Sequence, residues 1–315
     1  MAFYDSCLAG LELMNKPSEA FSEEQINILN ALARGMQPDE FAAVADAAQL
    51  LDSLCPPWEP DRGEKSRNYW WEVFRLLVAI AKSSDVLAWI QERLIAIILE
   101  LRKIQGDKEL VYASETGHEI RVHIWKDVLL REDLAEHIRL GFYADPTSEN
   151  RLSAFNASSA QRYQNISWFA ARLQAAGILL IDEECVFALK NGLETDLSTL
   201  DATVAECRIL VACGWLVNCP KELLGWSRAY DVSEQPPKYE PQWGPGDEYP
   251  RLVPNSEVGP LYSGPPTLCP ERWAFWLARL DEIASEESGF GNPVRYAAFE
   301  AAKAMRAAEE EAGKE

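Results

Sequence analysis

The sequence predicts an all-α protein, an irregular bundle of about ten helices with one long Pro-rich loop, and three observations carry that prediction. Apolar residues recur at three- and four-residue spacing through most of the 315 residues. Capping residues, glycines and prolines punctuate those runs at intervals of helix length. Extended patterning is confined to residues 107–125. The chain is long enough to rest on a hydrophobic core without disulfides or metals, and 48% apolar with 25% charged residues is ordinary for a globular protein.

Ser22 and Gln25 form a capping box ahead of Ile26, Leu29, Leu32 and Ala33, and this first helix stops before Gly35 and Pro38. Asp39 caps a second helix through Phe41, Val44, Ala48 and Leu51, ended by Pro56-Pro57, and the two read as an antiparallel pair. Asn68 to Lys82 makes a strongly apolar helix. The next, capped by Ser84 or Asp85, sets Leu87, Ile90, Leu94, Ile97, Ile98 and Leu101 on one face before Gly106 stops it. Leu110-Val111-Tyr112 and Ile120 to Ile124 read either as a short β-hairpin or as an extended excursion.

Helical spacing returns near Glu132 to Gly141 and again from Ser158 to Ala176, with Gly177 as its stop. Asp182 then caps a helix to about Glu194. Leu200 to Asn218 is apolar on nearly every side, the mark of a helix surrounded by others, and Pro220 suits the first turn of the next. Residues 231–269 hold nine of the 18 prolines together with Tyr239, Trp243, Tyr249 and Tyr262. Their aromatic content suits a strap lying on the helical body better than a solvated linker. Pro270 opens a helix carrying Trp273, Trp276, Leu280 and Ile283. Asn292-Pro293 opens a last Ala-rich one, and residues 309–315 read as a frayed acidic tail. With no repeat of constant period, residues 1–315 are expected to form a single domain.

Thirty basic residues against 50 acidic ones leave a net charge of −20, spread evenly along the chain, which disfavours nucleic acid and anionic membrane surfaces as partners. The longest apolar run, Ile209 to Val217, is too short to span a bilayer, and the first residues lack a secretory pattern. Seven cysteines without a C-x-x-C pair suit free thiols, so a cytoplasmic protein is expected.

No phosphate loop, nucleophile elbow or zinc motif is present, and His118 and His123 are spaced so that they cannot share an ion. No metal and no cofactor is therefore expected. Gly289-Phe-Gly291 reads as a helix stop rather than a dinucleotide loop. Two constellations remain. Asn165, Trp168 and Arg172 share one side of a helix, and Arg272, Trp273 and Trp276 gather on another. They fit a pocket in which Arg binds an anionic group and Trp stacks on a planar one. They fit better a packed core with Arg stems laid over aromatics and guanidiniums bonded to carbonyls or acidic neighbours.

Asn165-Ile-Ser-Trp168-Phe169-Ala-Ala-Arg172-Leu173, Ala188 to Glu194, Gly259-Pro260-Leu261-Tyr262 and Glu271-Arg272-Trp273-Ala274-Phe275-Trp276 with Arg279 together resemble the fungal domain-of-unknown-function 3632 family. The order of motifs carries the resemblance from roughly residue 70 to 305. It departs at Lys190-Asn191, where that family tends to carry an Arg-Glu pair. The resemblance implies a fungal, intracellular, mainly helical protein and no particular activity. From the missing catalytic motifs and the even acidic charge, a non-catalytic interaction or scaffold module is expected, with a protein partner. The alternative is a small-molecule binder or cofactor-free enzyme whose Trp/Arg pocket lies under the strap.

Overall fold

The computed structural model describes residues 21–37, 41–56, 63–83, 88–106, 109–113, 119–123, 130, 134, 138, 157–179, 181–229 and 258–314. Among these residues the protein is helical apart from one two-stranded hairpin. The helices gather into two compact units. The first lies within Met1–Leu140 with Ala176–Leu180, and the second within Gly141–Ala175 with Ile181–Glu315. The expectation of a single domain stands beside this division as an expectation.

In the first unit, α1 (Glu23–Gly35) begins at the predicted capping box, with Ser22 Oγ accepting from Gln25 N and Gln25 Oε1 accepting from Ser22 N. It pairs antiparallel with α2 (Phe41–Leu54): Gly35 meets Ala47, while Asn27 and Leu54 line one shallow groove. α3 (Gly63–Ala81) starts earlier than the sequence suggests, and Tyr69 on it donates to the Leu51 carbonyl at 2.7 Å. Burial of Tyr69 raises its hydroxyl pKa well above the usual phenol range. α4 (Ala88–Gln105) ends at Gly106, whose φ of +56° is the left-handed turn that glycine tolerates. β1 (Glu109–Ala113) and β2 (Glu119–His123) pair antiparallel, Val111 opposite Arg121, so the segment left open by the sequence is a hairpin. The expected caps at Asp39, Ser84 and Asp85 lie outside the described residues. So does nearly all of the 132–141 helix, although Leu134 and Ile138 are helical and buried.

The second unit is built around α7 (Ala202–Asn218), capped by Asp201 and buried on almost every side, as its unbroken apolar character predicts. α5 (Ala157–Ala175) lies along it in the same direction, since residue 160 meets 207, 168 meets 210 and 214, and 172 meets 218. α6 (Asp182–Leu193) packs against α7 closely enough that a Cβ at Gly192 would come within 2.5 Å of the Arg208 carbonyl oxygen. Asp182 is the first helical residue rather than the cap. The N-cap is Ile181, whose N–H goes to Gln174 Oε1 at 2.9 Å. α8 (Pro220–Ala229) follows α7 after a bend of 83°. α9 (Pro270–Ala284) and α10 (Asn292–Ala312) form an antiparallel pair tied by Arg306 and Asp281 at 2.5 Å, with Gly289 at φ +79° in the turn between them. Helix α10 continues to Ala312, past the residue at which the sequence reading placed a frayed tail. Trp273 holds Glu309 and Lys221 holds Glu311 there.

Residues 231–257 of the Pro-rich strap lie outside the described residues, and its last part, 258–269, runs without regular structure onto α9. Among the described residues no single helix is long and apolar enough to cross a membrane; α7 and α8 reach that composition only when taken together across their bend.

Candidate functional site

The six residues singled out in the sequence fall into two clusters, both in the second unit. On α5, Asn165 is buried and its Oδ1 accepts from Gln161 Nε2 at 2.9 Å. Trp168 donates from Nε1 to the Leu210 carbonyl at 3.0 Å, and its ring lies over Gly214. A Cβ at Gly214 would sit 2.0 Å from that ring, so the glycine leaves the slot the indole fills. Arg172 donates from Nε to Asn218 Oδ1 at 3.3 Å. The first cluster is thus the seam between α5 and α7.

The second cluster centres on a residue that sequence reasoning missed. Glu194, the residue just past the end of α6, is fully buried, as is Arg272 on the first turn of α9. The two form a bidentate ion pair, Arg272 Nε to Oε1 at 2.6 Å and Nη2 to Oε2 at 3.0 Å. Trp276 Nε1 donates to Oε1 at 2.7 Å and the Gly259 N–H to Oε2 at 2.8 Å. A carboxylate has about four lone-pair positions, and here every one is taken. The Glu194 backbone carbonyl also accepts from the Leu261 N–H at 2.9 Å, closing the turn of residues 259–262 onto the helix end. The remaining side of the guanidinium reaches the Thr267 carbonyl, and the Tyr262 and Trp276 rings lie 5.7 and 5.4 Å from it, within cation–π range. Trp273, one residue on, points away and donates to Glu309 at 2.8 Å.

Bidentate pairing and complete hydrogen bonding are what make such a pair tolerable, because an isolated charge in this place would be very costly. Gly259 is required by the same geometry, since a Cβ there would lie 2.5 Å from both Cβ and the carbonyl oxygen of Glu194. Burial raises the pKa of the neighbouring Tyr262 hydroxyl, and its contact with Cys269 Sγ at 3.4 Å raises it further, so it stays a neutral phenol. Glu194 is 78 residues from its partner, and no local periodicity announces it. Its only sequence signal is a glutamate that closes an apolar helix inside the Ala188 to Glu194 stretch, matched by a glycine in Gly259-Pro260-Leu261-Tyr262.

Two open grooves among the described residues lie away from these clusters. A groove of about 380 Å³ runs between α8 and α10 over Leu224, Gly225 and Ala308, with Lys221 and Arg228 on its rim. A second, of about 210 Å³, lies by Glu23, Asn27 and Tyr69 in the first unit. None of the six sequence-selected residues lines either one. Among the described residues no three His, Cys, Asp or Glu side chains are placed to hold a metal ion.

The fold and this clamp define a predominantly helical protein with a buried central helix and an internally paired Glu–Arg cluster. Its sequence matches the family described as protein of unknown function (DUF3632) over residues 74–280, about two thirds of the chain, and the protein belongs to that family. No curated protein and no solved structure matches it.

Proposed function

We propose that the protein is a non-catalytic interaction module that works through its surface. One observation supports this reading above the rest: the polar atoms of the Arg and Trp side chains best suited to grip a ligand are spent on other parts of the same chain. Arg272 and Trp276 serve Glu194, Trp273 serves Glu309, Trp168 serves a carbonyl of α7, and Arg172 serves Asn218. The alternative of a Trp/Arg pocket under the strap is disfavoured by the same saturation, because binding there would first have to break a buried ion pair.

The surface offers a more suitable contact. Tyr296 and Phe299 stand one helical turn apart on α10, 67% and 53% exposed. Exposed aromatics supply large contact area at small entropic cost, which is why they dominate binding hot spots. The test compares affinity capture by the wild-type chain with capture by a Tyr296→Asp/Phe299→Asp variant. A partner held by the wild type should be retained at least tenfold less by the variant, while the melting temperature moves little, as expected of surface changes. Equal capture by both chains would refute the reading.

A further inference from the structure

The Glu194 cluster joins the helix end of α6, the turn of residues 259–262, the Thr267 carbonyl and the first turns of α9. Two of these pieces, 259–262 and 267, have no regular secondary structure of their own to hold them in place. Each contact in the cluster depends on the others. If the 259–262 turn lifts, Glu194 loses the Gly259 N–H and its carbonyl loses the Leu261 N–H. Arg272 loses the Tyr262 ring from one face, and water reaches a pair whose geometry is worth most when dry. Partial opening therefore forfeits most of the favourable contacts without releasing the segment.

We propose that Glu194, Arg272 and Gly259 form a conformational latch, through which residues 258–269 dock on or leave the α6–α9 junction as one cooperative piece while the bundle around α7 stays folded. The central helix supports this separation. It is capped by Asp201 and buried against α5, α6 and α10, whereas the contacts that make the latch come from the end of α6, residues 259–267 and α9. Gly259 gives the latch its reach, because it alone lets the turn come within contact of the Glu194 backbone. Glu194 gives it its hold, because one carboxylate gathers donors from both the turn and α9.

Native-state hydrogen exchange on the full chain, followed residue by residue, tests this. In the wild type the amides of Gly259, Leu261 and Tyr262 should be protected and should exchange together, faster than those of α7. Glu194→Gln keeps the shape and removes the charge. It should speed exchange of those three amides together by at least 100-fold, and they should go on exchanging faster than the α7 amides, because release of the segment costs less than opening the bundle. Gly259→Ala leaves the ion-pair chemistry in place but blocks the approach, and should give the same pattern. Turn amides that exchange at the same rate as α7 amides in the wild type or in either variant, or failure of a variant to fold, would make the cluster a keystone of the whole bundle and overturn the latch. Amides of residues 259–262 that exchange at unprotected rates in the wild type would overturn it as well.

Discussion

At Gly214 a single hydrogen in place of a methyl group decides whether the Trp168 ring can lie flat on α7, since the added carbon would meet ring atoms at 2.0 Å. The indole cannot swing aside without giving up its bond to the Leu210 carbonyl. Overpacking of this kind typically costs about 1–3 kcal/mol. Gly214→Ala should therefore lower stability by about that amount in denaturant unfolding. Trp168→Leu placed on top of it should recover part of the loss, a non-additivity expected of residues in direct contact. Two independent, additive losses would show that the slot is not what constrains Gly214. Neither partner is legible in the sequence as half of a pair. Gly214 sits within an apolar run and reads there as a weak point of the helix, whereas its value comes from a ring on another helix.

Helices α5, α6 and α7 show what local pattern does and does not determine. The apolar stretch of residues 200–218 foretells a surrounded helix, and α7 is one, because a helix lacking a polar face must bury every side. Its neighbours and their direction are not foretold, since periodicity carries no information about which face meets which. Asp182 was expected as a cap, and the structure instead brings a glutamine from α5 to the N–H that needs a partner. The burial of α7 also sets its chemistry. Desolvation pushes the Cys207 and Cys213 thiols up to about 12, while an exposed thiol ionises near about 8.5. The unfolded chain thus releases these protons at lower pH than the folded one. The stabilisation is complete below about pH 8.5 and is lost as pH rises toward 12, at up to about 1.4 kcal/mol per pH unit for each thiol. Unfolding midpoints measured from pH 7 to 11 should fall along this slope, and a Cys207→Ala/Cys213→Ala variant should flatten it. An identical pH profile for the two chains would contradict the assignment.

Across the whole molecule the net charge is −20, and among the described residues several surface cations are matched to acidic neighbours, as in Arg34–Asp46, Arg75–Glu72 and Arg306–Asp281. Exposed pairs of this sort add little stability, and so large an excess of negative charge disfavours a phosphate backbone as a partner. Labelled duplex DNA and anionic lipid vesicles should both fail to bind at 150 mM salt, and a salt-sensitive mobility shift would contradict that expectation. The mainly helical character was readable from spacing alone, since amphipathic periods and their stops are local properties. The heart of the second unit was not, because Glu194, Gly259 and Arg272 come together from positions far apart in the chain and each has an ordinary reading where it stands.

Such an arrangement also constrains how the chain can change over generations. A lineage that loses Glu194 first strands a buried guanidinium, and one that loses Arg272 first strands a buried carboxylate, whereas replacing both with apolar residues of similar size need not be harmful. A side chain at position 259 is barred while residue 194 keeps its place. These three positions should therefore be inherited as a set. Relatives are expected either to keep the glutamate, the arginine and the glycine together or to have exchanged them together.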